Sequence, residues 1–229
     1  MGRTIIVGDV HACVRELKDL LVAVDYQPGD RLVSVGDLVV RGPSPHETLV
    51  FCRKLEIAAV RGNHEQRLLT WRALRRQRGE KPRVGALDLP ILRSKSLRRT
   101  AETLSEKDWA MLEAMPLWLD LPEHGVRVVH AGVMPGIGIE EQVPRNLMYM
   151  RNLVDGHASE ERGVGVLWGS RYQGPPHLVF GHNARPHPQL HPWATGLDTG
   201  CVYGGRLTAL VLGADQQLGD LRQMPVTTR

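Results

Sequence analysis

The 229-residue sequence predicts an α/β (α+β) fold, with two β-sheets face to face and helices outside them. Three observations predict it. Short apolar runs alternate with helical patterns through the first 76 residues. Further short runs lie among glycine-rich turns in the second half. Five of the runs end on residues that can bind a metal or a phosphate.

Taken in order, Thr4-Ile5-Ile6-Val7 is a β-branched apolar run that leads into Gly8-Asp9-Val10-His11, a buried strand with a turn at its exit. Ala12 to Val24 sets Val14, Leu17, Leu20, Leu21 and Val24 at helical spacing. Arg31 to Val35 reads as the second strand and exits through Gly36-Asp37. Ser44 to Leu55 reads as a helix that opens on the cap and first-turn pair Ser44-Pro45 and buries Leu49, Val50 and Cys52. Ile57 to Val60 is the third strand and leaves through Arg61-Gly62-Asn63-His64-Glu65. A helix from His64 to Arg76 follows, carrying Leu68, Leu69 and Trp71. Strand and helix in this alternation imply parallel strands joined by right-handed crossovers.

Residues 72 to 115 read as an insertion. From Arg72 to Arg99 it holds ten Lys or Arg against Glu80 and Asp88. Gly79 to Leu92 looks like loop, and Ser96 to Met115 contains helical stretches with a new start at Ser105. Such a basic face is commonly solvated surface; the sharper expectation is a small helical cap over the site that attracts a polyanion. Runs near 126–130, 178–181, 194–197 and 206–212 read as strands of a second, more antiparallel sheet. The polar last dozen residues read as a fraying tail. All of this fits one domain over residues 1–229.

Laid side by side, the strand exits bring Asp9, His11, Asp37, Asn63, His130 (in His130-Ala131-Gly132) and His182 (in Gly181-His182-Asn183) to one rim. Singly, each motif is more often a turn or a hydrogen-bonded histidine. Five exits with the right residue types make a metal centre. Carboxylate, imidazole and amide oxygen suit manganese, iron, zinc or cobalt. Asp37, with two oxygens, is placed to bridge two ions. Such a pair roughly 3.5–4 Å apart clamps an in-line displacement at phosphorus and acidifies a bound water. His64, next to Asn63, is the natural general acid, and Arg41 and Arg151 are suited to grip phosphate oxygens in a bidentate manner.

The set Gly8-Asp9-Val10-His11, Gly36-Asp37 through Arg41-Gly42, Gly62-Asn63-His64-Glu65, His130-Ala131-Gly132 and Gly181-His182 resembles the calcineurin-like metallophosphoesterases, and within them the phosphoprotein phosphatase superfamily, across residues 3 to 210. The resemblance implies Asp9, His11 and Asp37 on one ion, and Asp37, Asn63, His130 and His182 on the other. It also implies His64 as proton donor and Arg41 and Arg151 as phosphate clamps. Eukaryotic-type protein phosphatases of this superfamily carry an aspartate before the arginine; here Val40 stands there. That change, the Met150-Arg151-Asn152 segment and Gly196 to Gly205 resemble the bacterial diadenosine tetraphosphatases (ApaH) and ApaH-like phosphatases. Without the aspartate, a backbone carbonyl is expected to hold His64, whose pKa would be less raised. Ala12 replaces the family's usual glycine, which argues against positive φ there.

The function expected is a phosphohydrolase using two divalent or trivalent metal ions, manganese first, and a metal-bridging hydroxide. Its substrate would be a dinucleoside tetraphosphate or a capped RNA end; the alternatives are a phosphoprotein phosphatase and a non-catalytic nucleotide sensor. Trp168 or Trp193 is a candidate to stack on a base, although core packing suits either. No apolar run reaches the roughly 20 residues of a membrane span, so no membrane partner is expected, nor stable DNA binding despite a net charge of +4. Cys13, Cys52 and Cys201 form no metal spacing and are expected reduced in a cytoplasmic protein.

Overall fold

The computed structural model describes residues 2–78, 91, 93–213 and 220–225. The expected loop over Gly79 to Leu92 falls, Ile91 excepted, outside the described residues. In chain order the strands are β1 (Thr4–Val7), β2 (Arg31–Ser34), β3 (Ala58–Ala59), β4 (Trp118–Leu121), β5 (Val126–Val129), β6 (Asn152–Val154) and β7 (His157–Ser159). They continue with β8 (Val166–Leu167), β9 (His177–Phe180), β10 (Gln189–His191), β11 (Ala194–Gly196), β12 (Asp198–Thr199), β13 (Arg206–Leu212) and β14 (Asp220–Pro225). The helices are α1 (Val14–Ala23), α2 (Pro45–Lys54), α3 (Asn63–Arg78), α4 (Lys95–Thr103), α5 (Glu106–Ala114) and α6 (Pro144–Tyr149).

Sheet one runs β12-β13-β1-β2-β3, with β14 also paired to β13; sheet two runs β10-β11-β9-β5-β4; β7-β6-β8 form a small third sheet. The parallel register Ile5↔Leu32 and Ile6↔Val33 sorts side chains by face. Ile5, Val7 and Leu32 point to the helices and pack with Leu17, Leu20, Leu49 and Leu68. Ile6, Val33, Val35 and Leu210 point the other way and meet Leu121, Val126, Val128 and Val179 of sheet two. On the far side of sheet two, Val129, Leu178 and Phe180 pack on Trp168, Leu147 and Leu153. Two apolar sheets stacked face to face and covered outside are thus held chiefly by burial, at roughly 1.5–3 kcal/mol for each fully buried aliphatic side chain.

Several expectations need correction. The run 206–212 does not join the second sheet. β13 pairs antiparallel with β1, Thr4 opposite Leu212. Sheet two is parallel at its centre, β5 with β9 and β9 with β11. The long segment between β5 and β9 carries α6 and the small third sheet, which gives room for the crossover that parallel pairing needs. Val50, expected in the core, is 42% exposed, while Leu49 and Cys52 are fully buried, because α2 turns only one stripe inward. Ser44 holds the N-cap position of α2 but makes no side-chain cap. Ser105 does start a helix, with a capping box to Asp108. Residues 220–225 of the expected tail pair with β13.

The described part of the expected cap is helical and packs on the flank of sheet one. Leu97, Trp109, Leu112 and Met115 join the core beside α2 and α3, where burial stabilises them. Trp168, 2% exposed, is core; Trp193 is 40% exposed. Cys13, Cys52 and Cys201 are free and buried.

Candidate metal centre

The exits of β1, β2 and β3 in sheet one and of β5 and β9 in sheet two open on one rim, as open α/β sheets place their sites. Asp9, His11, Asp37, Asn63, His64, His130 and His182 are all buried there. Sharp turns bring them in. His11, Ala12, Asp37, Val40, Arg41 and His182 all have φ between +47° and +74°, a conformation that L-residues adopt at some cost. Ala12 at φ +61° overturns the expectation drawn from its β-carbon. Cross-strand bonds hold this backbone: His11 N–H donates to Asp37 O and Ala12 N–H to Leu38 O, each at 2.7 Å. A β-carbon at Gly42 would overlap the His11 carbonyl oxygen, so that position needs glycine.

Each imidazole is aimed by its outer nitrogen. His130 Nδ1 donates to Val35 O at 2.8 Å, His182 Nε2 to Tyr149 O at 3.0 Å, and His11 Nδ1 lies 3.4 Å from Val39 O. Such carbonyl partners fix the tautomer and turn the remaining lone pair inward. Asn63 Oδ1 then lies 3.1 Å from His130 Nε2 and 2.9 Å from His182 Nδ1. Asp37 Oδ2 lies 3.5 Å from His130 Nε2 and 3.7 Å from His11 Nε2, between the two histidines. Its other oxygen accepts from His64 N–H at the start of α3. Asp9 accepts the His182 N–H on both oxygens.

Lone pairs of His130, His182 and Asn63 therefore converge with no proton among them, the arrangement a cation satisfies. The electrostatics agree. Burial, then Arg41, holds His11 down to about 3, and burial also lowers His130 and His182; all are neutral and ligand-competent at pH 7. Burial, reinforced by Asp198, pushes Asp9 well above its ordinary range, and burial raises Asp37 to about 7 despite the His64 N–H. A pocket of buried carboxylates and neutral imidazoles is short of positive charge, and the residues fit metal cations. Donor atoms of His11, Asp37 and His64 gather within 4.8 Å, as do those of Asp37, His130 and His182. His64 enters the first group where Asp9 was expected. Its Nε2, however, accepts from Arg41 Nε at 3.2 Å, so that nitrogen is already engaged.

That contact corrects the expectation for His64. Among the described residues no backbone carbonyl holds it and Nδ1 is buried without a partner; the Arg41 guanidinium fills the role instead. Burial, with His11 and Arg41 adding repulsion, lowers its pKa to about 2. Arg41 itself lies over the Tyr203 ring at 5.3 Å. Arg151 reaches the same cleft and donates to His182 O at 2.9 Å and Asn183 Oδ1 at 3.1 Å. The cleft, about 230 Å³, is lined by these groups together with Arg67, Arg162, Tyr149 and Asp198.

Two residues of the quoted motifs had no role assigned from the sequence. Glu65, fully buried, accepts from the N–H groups of Asp37, Gly62 and Val39 at 2.9, 3.0 and 3.2 Å, tying the β2 exit to the start of α3. Its signal was there: an acid three residues past the cap position, able to reach back to that N–H. Asp198 accepts from Gly200 N–H, and burial raises its pKa. It belongs to a β12 of only two residues, too short for periodicity to flag.

The calcineurin-like phosphoesterase family matches residues 2–213. A symmetrical bis(5'-nucleosyl)-tetraphosphatase of Shewanella sediminis is 39% identical over 137 residues, an alignment covering 58% of this chain and 46% of that protein. An asymmetrical bis(5'-nucleosyl)-tetraphosphatase, PrpE, of Oceanobacillus iheyensis is 26% identical, covering 89% of this chain and 86% of the relative. A crystal structure provisionally named a diadenosine tetraphosphatase superposes with a TM-score of 0.84 at 35% identity, covering all of this chain and 95% of the other. No helix among the described residues is long and apolar enough to cross a membrane.

Proposed function

The chain belongs to the calcineurin-like phosphoesterase family, and on that premise we propose that it hydrolyses the phosphoanhydride chain of a nucleoside polyphosphate, a dinucleoside tetraphosphate first. The observation that carries this reading is the pairing of a buried acceptor cluster short of positive charge with a cleft lined by four arginines, Arg41, Arg67, Arg151 and Arg162. A single phosphate monoester needs fewer cations than that; a chain of phosphates uses them. The relatives named as tetraphosphatases support the same substrate class.

In this reading Asp9, His11 and Asp37 would hold one divalent cation and Asp37, Asn63, His130 and His182 would hold a second, with manganese the first choice for such oxygen and nitrogen donors. Cations at these residues would supply charge neutralisation at phosphorus and a water acidic enough to act as nucleophile at neutral pH. The protein's own groups do the rest. Arg151 and Arg41 orient the phosphate oxygens for in-line attack. Arg41 leaves His64 Nε2 as it turns to the phosphate; with that repulsion gone and phosphate charge beside it, the nitrogen takes up the proton that the attacking water gives up. The bond from phosphorus to the leaving oxygen breaks, the electron pair stays on that oxygen, and His64 protonates it.

The test is a substrate panel with metal analysis on the same preparation: diadenosine tetraphosphate, a capped RNA, and phosphoserine and phosphotyrosine peptides, each with Mn²⁺. The expected result is fastest turnover of the dinucleotide with two metal equivalents bound. A phosphopeptide cleaved faster than any nucleotide would move the protein to the phosphoprotein phosphatases. Absence of bound transition metal in active material would overturn the mechanism.

A further inference from the structure

A second cavity opens beside the cleft. It is a groove of about 920 Å³ between the start of α1, the turn before α2 and the face of α4, and Arg41 lines both it and the cleft. The two differ in what they can hold. The cleft, at about 230 Å³, falls below the roughly 300–1,000 Å³ that encloses a small-molecule ligand, whereas the groove falls inside that range. Its lining is mixed. Val14, Pro43 and Val202 offer apolar surface, and Arg15, Lys95 and Arg99 offer exposed positive charge. Among the described residues no carboxylate is paired with those three cations, in contrast to Lys18 on the same rim, which pairs with Glu47 at 2.8 Å.

Direction follows from His64. A proton donor stands beside the oxygen that leaves, and Arg41 Nε lies 3.2 Å from His64 Nε2. The leaving side of the reaction is therefore the Arg41 side, and the next space beyond Arg41 is the groove. Unspent positive charge around an apolar floor is the complement of a base and sugar carrying phosphates. We propose that this groove is the subsite for the departing nucleotide, a nucleoside di- or triphosphate, whose phosphates cross Arg41 and whose base lies against Val14, Pro43 and Val202. The inference rests on the nucleoside polyphosphate reading above and adds to it the place where the leaving half is held.

The test compares a long substrate with a short one. p-Nitrophenyl phosphate has a leaving group too small to reach α4; diadenosine tetraphosphate spans both spaces. In K95E/R99E, the kcat/KM ratio of the dinucleotide to p-nitrophenyl phosphate should fall roughly tenfold or more, mainly through a higher KM, the size of one lost hydrogen bond between charged groups. S96W, a steric block at an exposed position of the same face, should lower the ratio in the same direction without changing charge. If the unaltered protein cleaves the dinucleotide and neither variant shifts the ratio, the groove proposal is overturned and the function stands. A loss confined to capped RNA, with the dinucleotide untouched, also overturns it, since the groove would then serve a polynucleotide. If the unaltered protein leaves the dinucleotide intact, the functional reading falls and takes this one with it.

Discussion

Glu65→Gln separates what holds the fold from what aims the ligands. The carboxylate accepts three backbone N–H groups, from Asp37, Gly62 and Val39. A glutamine keeps one oxygen. Placed where Oε2 stands, it still serves Asp37 and Gly62, but its NH₂ group then faces the Val39 N–H, and the two surviving bonds lose their charge assistance. At a net 0.5–1.5 kcal/mol for a neutral bond against about 1.5–3 for a charged one, plus one orphaned buried donor at 1–3, the loss is roughly 3–5 kcal/mol. An opposing effect is of similar size. Burial, then the nearby Asp37, raises the Glu65 pKa from 4.5 to about 7, so ionising it inside the fold costs on the order of 3 kcal/mol, and glutamine removes that cost. The net change in stability is therefore about 2 kcal/mol or less, a few degrees in Tm for a chain of this size.

The ligand geometry has no such offset. Asp37 sits at φ +50°, and Glu65 fixes its N–H and that of Val39 two residues on. A ligand whose support is weakened commonly loses 10–100-fold in metal affinity. Calorimetric Mn²⁺ titration of metal-stripped protein, alongside thermal unfolding, reads both quantities. Weaker metal binding with a near-parental Tm is expected. A titration indistinguishable from the parent would refute the argument that Asp37 depends on Glu65.

His64→Asn should cost roughly 10²–10⁴-fold in turnover of an alkyl phosphate such as phosphoserine, whose alkoxide leaves poorly, and less for p-nitrophenyl phosphate, whose leaving group needs little protonation; equal losses on both would remove His64 as the proton donor. Ala12→Gly relieves about 1–2 kcal/mol of left-handed strain but gives up a buried methyl and adds chain entropy, together of similar size. Denaturant unfolding should thus find the change within about 1 kcal/mol of zero, and a loss above 2 would contradict the φ of +61°. At Asp108, fully buried, burial pulls the pKa up but the Ser105 hydroxyl and N–H, Arg53 and His46 outweigh it, leaving the group below its ordinary value. A depressed folded-state pKa gives stability that is present above the unfolded value and lost as pH falls through the folded one. The stability gap between the parent and Asp108→Asn should accordingly be full at pH 7 and shrink below about pH 4, a trend that unfolding at pH 7 and pH 3 will check.

Much of the site was legible because its residues sit where short apolar runs stop. A strand exit is easy to find in a sequence, and Asp9, His11, Asp37, Asn63, His130 and His182 all occupy such exits and meet at one rim. Sheet membership was less legible. β13 alternates its faces, Leu207, Ala209 and Val211 toward the helices and Leu210 and Leu212 between the sheets, and that pattern suits either sheet; which edge it joins depends on pairing across some two hundred residues. The partner of His64 was hidden for a similar reason. Val40 correctly signalled that no carboxylate stands there, but the replacement, Arg41, is its own neighbour in sequence, turned into the cleft by a φ of +74° that side-chain pattern does not encode.

Backbone strain explains why the sequence underdetermines this one region. Among the described residues, six of the nine non-glycine residues at positive φ lie at the rim, and each costs stability that the rest of the fold must supply. They persist because main-chain bonds over-determine them: His11 and Ala12 donate into the β2 exit, and Gly42 N–H returns to His11 O at 3.0 Å. Such a lattice accepts alanine where glycine is expected, since the conformation is imposed by neighbours rather than chosen by the residue. Local preference and tertiary demand part company at functional sites. Here the parting is what sets Asp37 between two groups of imidazoles with one oxygen on the α3 N-terminus and the other free to face a cation.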